Sequence, residues 1–170
     1  MSAGAGAGDS ARVSVFVRVA VDDAFDVFTR EIDLWWRTGP AYRIAGRRRG
    51  QLVFEPKLGG RLFETFESGR ADRPEGHTIQ VGEVIAWEPP RRLALTWRGV
   101  NFKPHESTEV EVRFEPSGEG TMVTVVHSGW SALPAEHPAR HGQTGADFSR
   151  MIGMWWGGLM TAFRHHVRSR

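Results

Sequence analysis

The feature that most constrains this chain is one long amphipathic helix at its end. Phe148, Met151, Ile152, Trp155, Leu159 and Phe163 recur at three- and four-residue spacing. Arg164, His165, His166 and Arg168 gather near its end, where cations suit the helix dipole. Thr144, with Asp147 three residues on, predicts a capping box that opens the helix. Such a broad, bulky apolar face must be buried, and the preceding segments read as strands, so the helix is expected to lie against a sheet.

Those strands are read from alternation. Val13, Val15, Val17, Val19 and Val21 share one face, with Ser14, Arg18 and Ala20 opposite. Asp22 and Asp23 are placed to cap a helix carrying Phe25, Phe28 and Ile32, which continues toward Leu34, Trp35 and Trp36 until Gly39 and Pro40 stop it. Two short helices forming a corner are expected there. Strand-like segments follow at 51–55, 61–67, 78–87, 92–98, 108–115 and 121–127. Gly59-Gly60, Pro89-Pro90 and Pro116-Ser117-Gly118 separate them and are short enough to join antiparallel neighbours. The order predicts an α+β architecture, with a flexible tail over 1–11 and a single domain over 12–170. Gly157 and Gly158 inside the long helix predict close packing against a strand or room left for a cavity.

Composition closes off several function classes. With no cysteine, disulfides, thiol nucleophiles, iron–sulfur clusters and cysteine-ligated zinc are excluded, and a reducing cytoplasm is the expected compartment. Residues 1–12 lack the basic and apolar blocks of a secretory signal. The most apolar stretch, 151–163, is shorter than the roughly 18 residues a membrane-crossing helix needs. A formal net charge of +2, and an Arg47-Arg48-Arg49 run without interleaved aromatics, predict no nucleic-acid partner. Lys57 follows Pro56 and Lys103 follows Phe102, so neither completes a phosphate-cradling loop, and no Gly-x-Ser-x-Gly elbow occurs. His137 and His141 are separated by Pro138, which disfavours the regular helix that would align them, and the adjacent His165 and His166 diverge by about 100° on a helix. Neither a metal nor a cofactor is expected.

Several local signatures, taken in order, carry a family resemblance. They are Ala24-Phe25-Asp26-Val27-Phe28 followed by Leu34-Trp35-Trp36, then Phe54-Glu55-Pro56 leading to Gly59-Gly60-Arg61. A run from Gly82-Glu83-Val84 through Trp87-Glu88-Pro89-Pro90-Arg91-Arg92-Leu93 continues into Leu95-Thr96-Trp97. Ser107-Thr108-Glu109-Val110, Gly120-Thr121, Val123-Thr124-Val125, His127 and Gly129-Trp130 complete the series. Over about 12–167 the chain resembles the helix-grip, START-like superfamily and, within it, the family named after the activator of heat-shock-chaperone ATPase. The resemblance implies a curved antiparallel sheet gripping the long helix, with an elongated apolar cavity between them. That superfamily also holds lipid carriers, hormone receptors, polyketide cyclases and iron-carrying oxygenase subunits, so the fold alone leaves the chemistry open. No counterpart of the amino-terminal domain used by eukaryotic chaperone activators is found, which counts against a co-chaperone role.

Seven Trp and ten Phe against one Tyr form a large rigid apolar payload, divided between core packing and cavity lining. The candidate ligand-lining residues are Trp35, Trp36, Phe54, Glu64, Phe66, Trp97, His127, Trp130, Met151, Trp155 and Leu159, with Trp156 also beside the cavity elements. Alternation adds that Glu64 faces inward if Leu62 and Phe66 do, and His127 faces inward if Val123 and Val125 do. A carboxyl and an imidazole sharing an apolar cavity could be satisfied structural groups, ligand anchors or an acid–base pair, since burial and pairing shift such groups in opposite directions. The expected function is binding of a small hydrophobic or amphipathic molecule. Alternatives are an enzyme using Glu64 and His127 on a polyketide-like or aromatic substrate, and an interaction module related to chaperone activation, with a homodimer or a protein partner left open.

Overall fold

The computed structural model describes residues 8–43, 50–66, 77–99 and 101–170. The Arg47-Arg48-Arg49 run, Glu67 and the first seven residues of the expected tail lie outside the described residues. Strand β1 (Ala11–Val17) leads into α1 (Val21–Arg30) and α2 (Ile32–Trp35). Strands β2 (Gln51–Phe54), β3 (Arg61–Phe66), β4 (His77–Glu88), β5 (Arg92–Trp97), β6 (Thr108–Ser117) and β7 (Gly120–Ser128) follow. After two short 3-10 turns the chain ends in α3 (Gly145–Arg168).

All seven strands form one antiparallel sheet in the order β1-β7-β6-β5-β4-β3-β2. Register shifts interrupt the β3–β4 pairing at Leu62/Phe63 and the β4–β5 pairing at Val84/Ala86. Bulges of this kind bend a strand and raise its twist, which curls the sheet toward α3. Leu93, Val112, Phe114, Val123 and Val125 present a fully buried face, and Leu159, Met160 and Phe163 of α3 join the same core. Phe28 ties the corner helices to both, with its ring 5.6 Å from Phe114 and 5.4 Å from Phe163. This is the helix-grip fold, as the order of elements predicts.

The structure corrects several local expectations. Val21 is the first residue of α1 rather than the end of a strand, and Ala20 precedes it, so Asp22 and Asp23 sit inside the first turn, where the helix dipole favours them. Leu34 is 66% exposed although it falls in the apolar run of α2. Thr144 makes no side-chain cap, and Asp147 turns outward to Arg150 at 3.4 Å, so the capping box is not formed. Residues 8–11, expected in the tail, are tied down: Asp9 accepts the Trp130 and Ser131 N–H groups, Ser149 donates its hydroxyl to the Ser10 carbonyl, and Ala11 already pairs with His127. Among the described residues, no helix is long and apolar enough to cross a membrane.

Leu159 has no exposed surface and lies where α3 meets the sheet. Leu159→Ala is therefore expected to lower the urea-unfolding free energy by about 2–5 kcal/mol, against a change within about 0.5 kcal/mol for Leu34→Ala.

Candidate functional site

The site begins at the end of β7. Val123, Val125 and His127 alternate inward, which leaves the His127 imidazole fully buried against α3. The Trp156 indole donates to His127 Nδ1 at 3.0 Å, and His127 Nε2 lies 2.7 Å from Thr108 Oγ1. An indole can only donate, so Nδ1 carries the lone pair, and the proton on Nε2 is donated to Thr108, whose hydroxyl in turn donates to the Trp97 carbonyl at 3.2 Å. Burial lowers the imidazole pKa from 6.5 to about 3, so the ring is neutral at physiological pH. Both ring nitrogens are thus engaged within the protein.

A cavity of about 440 Å³ opens beside this ring. Met151, Ile152 and Trp155 of α3 form one wall, and Trp97 with Phe102 forms another. His127 and Trp130, with ring centroids 4.6 Å apart, close its inner end. The segment Pro40–Arg43 covers it, with Tyr42 stacked on Trp155 at 5.8 Å and 22°. That segment is stitched down by two indoles: Trp155 donates to the Ala41 carbonyl at 2.6 Å and Trp36 to the Tyr42 carbonyl at 2.9 Å. Gly158 leaves the room this needs, since a Cβ there would stand 3.0 Å from both Tyr42 Oη and Arg37 Nη1. Arg43 anchors the far end, donating to Asp33 Oδ1 at 3.0 Å and to the Arg37 and Trp36 carbonyls at 3.2 and 3.1 Å. Across the cavity, Glu106 accepts from the Lys103 N–H at 2.7 Å and from His137 Nε2 at 3.1 Å, joining the two loops that carry Phe102 and Ala139.

A larger hollow, about 770 Å³, lies at the other end of β5 and β6 among Pro89, Pro90, Arg91, Arg113 and Pro116. Two of its arginines are already paired, Arg92 with Glu88 and Glu111 and Arg113 with Glu111, and it reads as a surface recess. The smaller aromatic cavity has the apolar walls and few polar groups of a ligand site. Among the described residues, no three His, Asp or Glu side chains gather as a metal site requires.

Five of the sequence candidates line the cavity: Trp97, His127, Trp130, Met151 and Trp155. Trp35 and Leu159 are core residues, Phe54 packs toward Trp87, and Phe66 stacks on His77 at 4.6 Å. Trp36 stands behind the wall, where Trp36, Trp97, Trp155 and Trp156 all touch one another. Glu64 is buried as alternation requires, but β4, β5 and β6 separate its strand from that of His127, so the expected pair does not form. Its Oε1 instead accepts the Gly50 N–H at 2.9 Å. Sequence reasoning missed Tyr42 and Phe102, which sit on loops without periodicity, and the role of Trp156, whose spacing of four after Ile152 and before Met160 places it on the buried stripe.

A bulged antiparallel sheet closed by a carboxy-terminal helix over an aromatic cavity defines the START-like class. Within that class the chain belongs to the family described as Activator of Hsp90 ATPase homolog 1-like protein, whose sequence profile matches residues 18–151. No curated protein matches its sequence. Among solved structures, a Rhodobacter sphaeroides protein is similar at TM-score 0.62 and 19% identity, over 98% of this chain and 97% of that one. An HSP90 activator from Plasmodium falciparum is similar at TM-score 0.56 and 17% identity over 91% and 92% of the two chains. The Aha1 dimer from Colwellia psychrerythraea is similar at 0.56 and 14% over 93% and 95%. At such identities the likeness shows the fold.

His127 gives the site a pH signature. Below pH 6.5 an exposed imidazole in the unfolded chain takes up a proton that the buried ring refuses down to about 3, so stability falls as pH falls through that window. Urea unfolding between pH 6.5 and 5, above the carboxylate range, is expected to lose about 2 kcal/mol more in the native protein than in His127→Gln. Equal slopes in the two proteins would show that other groups carry the dependence.

Proposed function

We propose that this protein binds a small hydrophobic or amphipathic molecule in the aromatic cavity between the sheet and α3. The observation that carries this reading is the cavity itself: about 440 Å³ walled by Trp97, Trp130, Trp155, Tyr42, Phe102 and Met151, and covered by a segment fastened through its own carbonyls. Rigid aromatic walls that fail to fill a space lose dispersion contacts that a ligand restores. Binding is favoured over acid–base turnover because His127 has both nitrogens committed and stays neutral, and because Glu64 is three strands removed from it. The family name, and a structural relative described as an HSP90 activator, support a second reading in which an outer face engages a chaperone. Among the described residues, Met154 of α3, at 73%, is the most exposed large apolar side chain that such a face would offer.

Native mass spectrometry of the purified chain before and after organic extraction is expected to reveal one small apolar species that leaves on denaturation. Met151→Trp, which grows into the cavity from its rim, is expected to weaken retention at least tenfold while leaving the core intact. Failure to retain any species, together with stimulation of a chaperone ATPase that Met151→Trp does not change, would move the function to the outer face.

A further inference from the structure

Among the described residues, Glu64 is the one buried acid that the cavity reading leaves unexplained. It has no exposed surface, and although Oε1 accepts the Gly50 N–H at 2.9 Å, Oε2 is enclosed and meets no hydrogen-bond donor among the described residues. The arrangement is built. A Cβ on Gly50 would stand 2.7 Å from the Glu64 side chain and 2.6 Å from the Thr65 carbonyl, so only a glycine brings its N–H this close. Glu64 lines a void of about 20 Å³ shared with Trp36, Tyr42, Arg43, Leu52, Leu62, Val81 and Trp97. That is room for one oxygen atom. Arg43 borders the same void but spends its donors on Asp33 and on the Arg37 and Trp36 carbonyls, so it does not turn to Glu64.

The void and the aromatic cavity have Tyr42, Arg43 and Trp97 as common walls. Tyr42 stands between them, its half-buried ring stacked on Trp155 and its hydroxyl only 3.4 Å from Arg37. Joining the two spaces requires that ring to swing aside. An enclosed carboxyl oxygen without a donor is costly, and a ligand that brings one recovers that cost. We propose that Glu64 is the polar end of the ligand site and that the ligand is a phenol-like molecule, whose single hydroxyl donates to Glu64 Oε2 while its rings lie among Trp97, Tyr42 and Trp155. The size of the void selects one hydroxyl over a bulkier head, and the neighbouring Arg43 guanidinium disfavours an ammonium. This assignment rests on the cavity being a binding site.

Calorimetric titration of the full chain with 2-naphthol, naphthalene and 2-methoxynaphthalene separates the two. The native protein is expected to bind the naphthol at least about tenfold more tightly than either of the others, because the ether keeps an acceptor but has no proton to give. In Glu64→Leu that preference is expected to vanish while naphthalene still binds. An ether that binds as tightly as the naphthol to the native protein, which needs no variant to fold, would overturn the assignment of Glu64 and leave the cavity reading standing. So would a naphthol preference that survives in Glu64→Leu. No binding by any of the three would overturn both.

Discussion

The arrangement depends on one hydrogen bond, from the Trp156 indole to the Nδ1 of His127. Apolar burial alone would let a helix with a broad hydrophobic stripe rotate or slide on a curled sheet, because dispersion and the hydrophobic effect are largely non-directional. A buried donor–acceptor pair is not, since breaking it leaves two unsatisfied groups in a dry interior. The bond sets the rotation of α3 so that Trp156, Met160 and Phe163 face inward while Met151 and Trp155 turn to the flank. That rotation makes Trp155 a cavity wall. Thr108 completes the constraint by accepting the Nε2 proton of the tautomer that Trp156 sets, so β6, β7 and α3 are held in one register.

Directional bonds do the same for the cover of the cavity. The Pro40–Arg43 segment stacks Tyr42 on Trp155, and it is held through its backbone carbonyls by the Trp36 and Trp155 indoles. Asp33 extends the network by accepting from Arg43 and from the Leu52 N–H at 2.9 Å, which ties α2, the covering segment and β2 to one carboxylate. The Arg43–Asp33 contact is nearly closed to solvent on the arginine side, so its geometry matters more than that of the exposed pairs on the outer face.

Much of this was legible in the sequence. Alternation in 108–115 and 121–127, the turn residues between strands and the three-and-four spacing after residue 144 predict the sheet, its hairpins and the gripping helix, because each is a local periodic signal. The site was legible at Trp97, His127, Met151 and Trp155, which periodic elements supply, and at Trp130, which follows closely on one. Tyr42 and Phe102 lie on loops tied to distant parts of the chain, through Trp155 to the Ala41 carbonyl and through His137 to Glu106, contacts that no local pattern encodes. Alternation placed Glu64 and His127 on the inner face, but it carries no information about how many strands separate them. The split between Trp155 and Trp156 was equally hidden, since adjacent helical residues differ by about 100° and both fit the edge of a wide stripe.

Trp36, Trp97, Trp155 and Trp156 make all six possible mutual contacts, with ring centroids between 5.2 and 6.0 Å apart. Indoles this close do not absorb or emit as separate chromophores: their transition dipoles couple, and excitation migrates through the cluster before a photon leaves. The near-ultraviolet spectrum of this protein therefore includes a coupled contribution from these four of its seven Trp. A quencher or energy acceptor against Trp155 or Trp97 drains light absorbed by all four, so the cluster is an internal optical antenna whose output reports on the cavity beside it.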